Sequence, residues 1–488
     1  MEWTREERYR RLEDVTQEAY QKLLEQVAKS PYRQKFHIQP KTGLLNDPNG
    51  FSYYKGRYHL FYQWFPLGPV HGVKYWYHVS SEDLLNWKDE GVALKPDSFY
   101  DSHGVFSGSG LVVEDELHLF YTGNTRTADW IRIPYQCHAV MDQSGNIKKA
   151  KFPLISDSPS GFTDNFRDPK VIEYQGQYIC LIGSETTDNR GKIVYYKSEN
   201  LVDWEYQGTI DTADYSNAGY MWECPDYFEQ NGQGVLLFSP QGMSAEGEKY
   251  RNIFQSGYLM GNPIDFSTGQ FHHNKFKELD RGFDFYAPQT MQDHLGRRLL
   301  VGWLGLPGVD CVTDAYGWAH CLTLPRELVV EKGHLYQRPV KELEGLRKSH
   351  RHFVGDLNDE TFSFSETSRT YELQLSLTLD ELEYFALALR EGDGEKVVFS
   401  YDSSKARLQL DLSNAGETVT AEYGRTRSCE FQADSLDIHL FLDESSLEIF
   451  INDGFEVFTS RIFSKKDANG LQLTSKGKTS YELDLWEI

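Results

Sequence analysis

The sequence contains no run of about 18 consecutive apolar residues, so it offers no helix able to cross a bilayer. Its six cysteines, Cys137, Cys180, Cys224, Cys311, Cys321 and Cys429, are dispersed without a Cys-x-x-Cys pair, which argues against both a disulfide framework and a structural zinc site. Positive charge is scarce as well: 50 Lys and Arg stand against 73 Asp and Glu, a net charge of −23. A surface of that sign repels nucleic-acid phosphates and anionic lipid, and no basic run offsets it, so neither a nucleic acid nor a membrane surface is expected as a partner. The opening residues, Met1 to Arg8, are charged and carry neither the apolar stretch nor the small-residue cleavage site of a secretory signal, which leads to the expectation of a cytoplasmic protein.

Aromatic residues, by contrast, are plentiful, with 30 Tyr, 29 Phe and 10 Trp, a composition that suits strands and aromatic-lined pockets. Leu12, Val15, Ala19, Leu23 and Val27 recur at three- and four-residue spacings and predict an amphipathic helix in a leading segment, residues 1–33. Beyond it, short Val, Ile, Leu, Tyr and Phe runs alternate with Gly, Asn, Asp and Pro, the pattern of an all-β chain. The run Gly56-Arg57-Tyr58-His59-Leu60-Phe61-Tyr62 returns 59 residues later as Asp115-Glu116-Leu117-His118-Leu119-Phe120-Tyr121, and related strands open at Gly176, Gly234 and Gly296. A second element, Ser81 to Trp87, returns at Ser198 to Trp204, about two periods on. Five units of about sixty residues, each long enough for four strands, predict a five-bladed β-propeller over residues 34–335. A charged, partly helical linker is expected at 336–352, and strict alternation such as Tyr371 to Leu379 then predicts an antiparallel β-sandwich over 353–488.

A propeller collects its innermost strands around a channel, where side chains of different blades converge. Three carboxylates lie in unusual settings near strand starts: Asp47 in Asn46-Asp47-Pro48-Asn49-Gly50, Asp168 in Arg167-Asp168-Pro169, and Glu223 in Trp222-Glu223-Cys224-Pro225. The Asp-Pro pairs also suit plain turns. Glu223, between Trp, Met and Cys neighbours, has an apolar setting that favours a protonated carboxyl, and Arg167 favours an ionised Asp168. One ionised and one protonated carboxyl are what glycosidic-bond cleavage requires. The aromatics Trp64, Phe106, Trp222, Phe285, Tyr286 and Trp303 are candidate sugar-stacking walls, although each equally suits a core.

These motifs, together with Phe61-Tyr62-Gln63, Phe106-Ser107-Gly108-Ser109 and Phe450-Ile451-Asn452-Asp453-Gly454, resemble glycoside hydrolase family 32, the invertases and fructanases. The likeness covers nearly the whole chain after the leading helix. The resemblance implies a propeller joined to a sandwich and a retaining double displacement at fructose C2. It also implies Asp47 as nucleophile, Glu223 as acid and base, and Asp168 as transition-state stabiliser. It further implies a sugar site at Leu44, Leu45, Asn46, Gln63, Trp64, Phe106, Ser107, Arg167, Tyr286 and Trp303. Leu44-Leu45 and the run Glu278 to Gln289 are similar to the bacterial members that act on sucrose 6-phosphate. In that case His71, Lys74, Arg126, Arg132 and Arg190 are candidate phosphate contacts. The alternatives left open are a fructan hydrolase, an inverting propeller glycosidase and a non-catalytic sugar-binding propeller. A small-molecule sugar is the expected partner, with no metal and no cofactor required for two-carboxylate chemistry. The sandwich is read as a packing module that also offers homodimer contacts.

Overall fold

Tight turns divide the first part of the chain into hairpins. Lys55-Gly56, Gln175-Gly176 and Asn231-Gly232 each place two successive residues at positive φ, the turn geometry that matches the twist of the strands it joins. The computed structural model describes residues 2–212, 217–364, 367–417 and 422–488. Four strands form each blade, beginning with Gly43–Tyr54, Val105–Val113, Phe162–Tyr174, Met221–Gln230 and Tyr286–Gln292 in blades one to five. Each of these first strands touches the first strands of the two flanking blades, which closes a ring of five. Blade five is completed by Arg298–Leu304, Arg326–Glu331 and His334–Pro339. The chain between them adds Trp318–Ala319 to blade one as a parallel strand, pairing Gly43 with Trp318.

A 3-10 turn, Lys341–Leu346, leads out of blade five, and the second domain's first strand is His350–Asn358. We place the domain boundary at that turn. The C-terminal strands join into one extensive sheet folded over an apolar core, with the 18-residue strand Gly470–Glu487 pairing on both edges. Apolar residues recur at every second position here: in Tyr371–Thr378, Leu373, Leu375 and Leu377 are buried while Ser376 and Thr378 face out.

The two domains meet through fully buried charge. His37 is held between Asp443 Oδ2 at 2.8 Å and Glu448 Oε1 at 3.0 Å, and Arg326 from blade five reaches Glu448 Oε2 at 2.7 Å and Asp280 Oδ2 at 3.2 Å. Burial opposes a charge on His37, but the two carboxylates outweigh it and raise its pKa to about 9.

The leading segment differs from the single helix its spacing predicts. The long helix is Gln17–Ala28, started by Thr16, whose side chain accepts from Ala19 N at 3.2 Å, while Leu12 sits in a separate 3-10 turn and Arg5–Arg8 form one short helical turn. The N-cap decides the start, and apolar spacing upstream of it continues only by coincidence. All six cysteines are buried free thiols. No helix among the described residues is long and apolar enough to cross a membrane.

Candidate active site

A break recurs at the same place in every blade. The register of the first hairpin slips between Leu45 and Pro48, Val105 and Gly108, Glu223 and Asp226, and Tyr286 and Gln289, and blade three slips between Arg167 and Lys170. Within these bulges Asp168, Cys224 and Ala287 have positive φ values of 68°, 49° and 48°. A bulge adds a residue to one strand and re-aims its side chains. Here it turns Asp47, Ser107, Asp168, Glu223 and Tyr286, one residue from each first strand, to a common channel.

The Asp47 carboxylate accepts from Ser107 Oγ at 2.5 Å and Gln63 Nε2 at 3.2 Å on Oδ2, and from Asn46 Nδ2 at 3.2 Å on Oδ1. Gln63 also donates to Ser107. Lys74 Nζ donates to Asn46 Oδ1 at 2.7 Å and so lies beneath the nucleophile candidate. Burial pushes the pKa of Asp47 up, with the Glu223 charge adding to it, while the Ser107 and Asn46 hydrogen bonds resist. Burial also lowers the Lys74 ammonium to about 7, against the pull of Asp47. Asp168 Oδ2 accepts from Cys224 N at 3.0 Å, and Cys224 Sγ lies 3.9 Å from Asp47 Oδ2, so one residue bridges two of the acids.

Glu223 is the most heavily tethered. Arg167 reaches its Oε1 through Nε at 2.9 Å and Nη2 at 2.8 Å, while Gln241 Nε2 at 2.7 Å and Tyr286 Oη at 2.6 Å donate to Oε2. One expectation is corrected here. The apolar neighbours of Glu223 in sequence do not surround its carboxyl, because adjacent strand residues point to opposite faces: Trp222 stacks on Phe238 at 4.2 Å inside the blade. Arg167 makes its direct contacts with Glu223 and not with Asp168, since the bulge aims Asp168 at the Cys224 amide. Burial raises the Asp168 pKa, Arg167 opposes it, and the Glu223 and Asp47 charges carry it further up.

Other sequence candidates separate cleanly. Leu44, Leu45, Trp64 and Phe285 are buried in apolar clusters, and Trp64 Nε1 donates to Thr42 O at 2.6 Å; none of these side chains takes part in the carboxylate network. Trp303 stands edge-on to Tyr286 at 6.1 Å and to His71 at 5.9 Å, and its buried Nε1 has no partner. His71 is open to solvent, yet dense surroundings, Lys74 and Arg8 lower its pKa. Phe106 is half-buried with Arg132 over its ring at 5.7 Å. Arg190 pairs with Asp188 at 2.5 Å on the surface. Gln241 escaped sequence reasoning, since nothing in Ser239-Pro240-Gln241-Gly242 marks it. The bulges did have a signal: Pro48, Pro169, Pro225 and Pro288 each follow the bulged residue in four of the five units. Among the described residues, the group with metal-ligand spacing is His352, Glu482 and Asp484, on the other domain.

Comparison with known proteins agrees with this geometry. The model of the glycosyl hydrolases family 32 N-terminal domain matches residues 37–339, and that of the family's C-terminal domain matches residues 342–487. A sucrose-6-phosphate hydrolase of Staphylococcus xylosus is 46% identical, covering 98% of this chain and 97% of its own; one of Vibrio alginolyticus is 41% identical over 94% and 92%. The solved sucrose-6-phosphate hydrolase of Lactobacillus gasseri superposes with a TM-score of 0.94 at 38% identity, covering 100% of this chain and 99% of its own. A Bombyx mori β-fructofuranosidase solved with sucrose gives 0.81 at 33% identity, covering 97% and 98%. The chain therefore belongs to glycoside hydrolase family 32 and is a glycosidase.

Proposed function

We propose that this glycosidase hydrolyses the fructosyl bond of sucrose 6-phosphate, and of sucrose less efficiently, to give fructose and glucose 6-phosphate or glucose. The observation that carries the reading is the convergence of Asp47, Asp168 and Glu223 from three blades in one hydrogen-bonded channel, within a chain so similar to enzymes of that name.

In the first step a carboxylate oxygen of Asp47 attacks fructose C2 while the bond from C2 to the glucosyl oxygen breaks and Glu223 gives that oxygen its proton. In the second, water attacks C2, Glu223 takes a proton from it, and the bond to Asp47 breaks. Ser107, Gln63 and Asn46 hold the nucleophile in one orientation. Tyr286, Gln241 and Arg167 fix Glu223, and the hydroxyl and amide donors can follow its change of protonation. Asp168, with its carboxylate set by the Cys224 amide, binds sugar hydroxyls and offsets positive charge developing at the ring. We read the reaction as one inside the cell, since a phosphorylated disaccharide does not cross membranes unaided.

The test is kcat/KM on sucrose 6-phosphate, sucrose and inulin side by side, with Glu223→Gln as the control. A tenfold or larger preference for the phosphorylated sugar, with the variant slowed about 10³-fold, is the expected result. Equal rates on the two sucroses remove the phosphate preference, and preference for inulin replaces the reading with a fructan hydrolase.

A further inference from the structure

The second blade carries two arginines for which the two-carboxylate chemistry has no use. Arg126 and Arg132 lie directly opposite each other at the end of the hairpin formed by Glu116–Arg126 and Arg132–Met141. Arg132 makes no ion pair and no side-chain hydrogen bond among the described residues; its guanidinium rests on the Phe106 ring. Phe106 precedes Ser107, which holds Asp47, so Arg132 is one residue layer outward from the nucleophile candidate. It also feels the charges of Arg167 and Glu223 across the channel, and Glu223 is already engaged by Arg167. Arg126 gives Nη1 to the Trp130 carbonyl at 2.9 Å but leaves a buried Nε without any partner. Two close guanidinium groups lacking a carboxylate are costly in a partly buried place, and a dianion between them removes that cost.

The wall of this corner comes from the leading segment, which lies outside the matched family domains. Val73 N donates to Arg8 O at 2.7 Å, Arg8 Nη1 to His71 O at 3.0 Å, and Arg11 Nη2 to Ser102 O at 3.3 Å. Arg5 packs on the Trp130 ring from 4.2 Å and Tyr9 meets its edge at 5.0 Å, which fixes Tyr9 near Arg132. Of the other basic candidates, Lys74 is buried beneath Asn46, Arg190 pairs with Asp188, and His71 meets the Trp303 ring at 5.9 Å with its pKa lowered by its dense surroundings, Lys74 and Arg8.

We propose that Arg126 and Arg132, walled by Tyr9 and Trp130, form the seat for the phosphate on the glucose 6-oxygen of the substrate. The inference rests on the reading of the chain as a sucrose-6-phosphate hydrolase and names the part of the site that reads the phosphate. With Glu223 protonating the glucosyl oxygen, the glucose ring in this proposal sits on the Glu223 side of the scissile bond and its 6-phosphate against Arg132, which feels the Glu223 charge. The seat also places two arginines together on a chain whose net charge is −23, so it offers a dianion local attraction against an overall repulsion.

The test compares the ratio of kcat/KM for sucrose 6-phosphate to that for sucrose in the wild-type chain, Arg132→Gln, Arg126→Gln, Arg132→Lys and Tyr9→Phe. In the two glutamine variants the ratio falls tenfold or more, equivalent to about 1.4 kcal/mol each. Competitive inhibition by glucose 6-phosphate weakens in step, Arg132→Lys recovers part of the ratio, and Tyr9→Phe lowers it about threefold. A wild-type preference that survives in both glutamine variants puts the phosphate elsewhere and overturns the seat while leaving the function intact. A parallel fall on both substrates marks the arginines as structural and also overturns it. A wild-type chain that cleaves both sugars equally well removes the reading beneath the proposal, and the seat with it.

Discussion

The first strands of the propeller and the strands of the C-terminal sheet use the same two-residue alternation, but the propeller interrupts it at one shared level in all five blades, whereas the C-terminal sheet slips only at scattered points such as Leu389 to Gly392. In Tyr371–Thr378 the alternation runs unbroken and every inward side chain is apolar. In the five first strands a bulge at one shared level converts an inward row into a ring of Asp, Ser, Glu and Tyr side chains. Regular pleat builds a core, and a repeated irregularity builds a site from the same kind of strand. The regions accordingly hold charge differently. The channel keeps its carboxylates desolvated and crowded, which raises Asp47 and Asp168, whereas His37 at the domain junction hydrogen-bonds both Asp443 and Glu448 and both are lowered.

The sharpest way to separate the two is to alter one residue in each. Asp47→Asn should lower kcat by about 10⁴-fold or more while the melting temperature holds or rises, since it removes a desolvated charge from a crowd of like charges. A drop in stability with activity retained would sink the nucleophile assignment. At the junction, His37→Gln should cost about 3–5 kcal/mol in chemical denaturation by leaving Asp443 and Glu448 partly uncompensated.

The same histidine predicts a pH signature. Its pKa is raised from 6.5 to about 9 in the folded chain, so its contribution is complete below 6.5 and is lost as pH climbs through 9. Wild-type stability should therefore fall across that window by more than that of His37→Gln. Within the sandwich, Ile449→Ala should cost about 2–5 kcal/mol with kcat per folded molecule unchanged, the converse of the Asp47 result. Smallest is Ala287→Val, a β-branched residue forced to φ 48° in blade five's bulge, with a loss of about 1–2 kcal/mol. Its KM should rise as well, because Tyr286 is the adjoining residue; an unchanged KM would show that the bulge does not set the aim of its neighbours.

Much of the architecture is legible in the sequence because a repeat advertises itself: five strand openings at a constant period specify five blades, whatever each blade contains. The three carboxylates are legible for a related reason, since Asp47 and Asp168 directly precede a proline that marks the bulge and Glu223 stands two residues before one. What escaped depends on contacts between distant residues. Lys74, expected among the phosphate contacts, instead donates to Asn46, a partner 28 residues away that no local pattern marks. Arg167 is adjacent to Asp168 in sequence and faces Glu223 in space, a choice made by a single residue at φ 68°. Gln241 and the leading segment join the site only through tertiary packing, which no local pattern encodes.

The parallel pairing of Gly43 with Trp318 has a consequence for how the molecule comes into being. The first blade cannot acquire its fifth strand until nearly two thirds of the polypeptide has left the ribosome, and His37 must wait longer still for Asp443 and Glu448. Contacts of such separation form late and slowly. During synthesis the Gly43–Leu44 end of the first strand therefore waits without its partner, and unpaired strand ends of this kind are open to aggregation and to capture by chaperones.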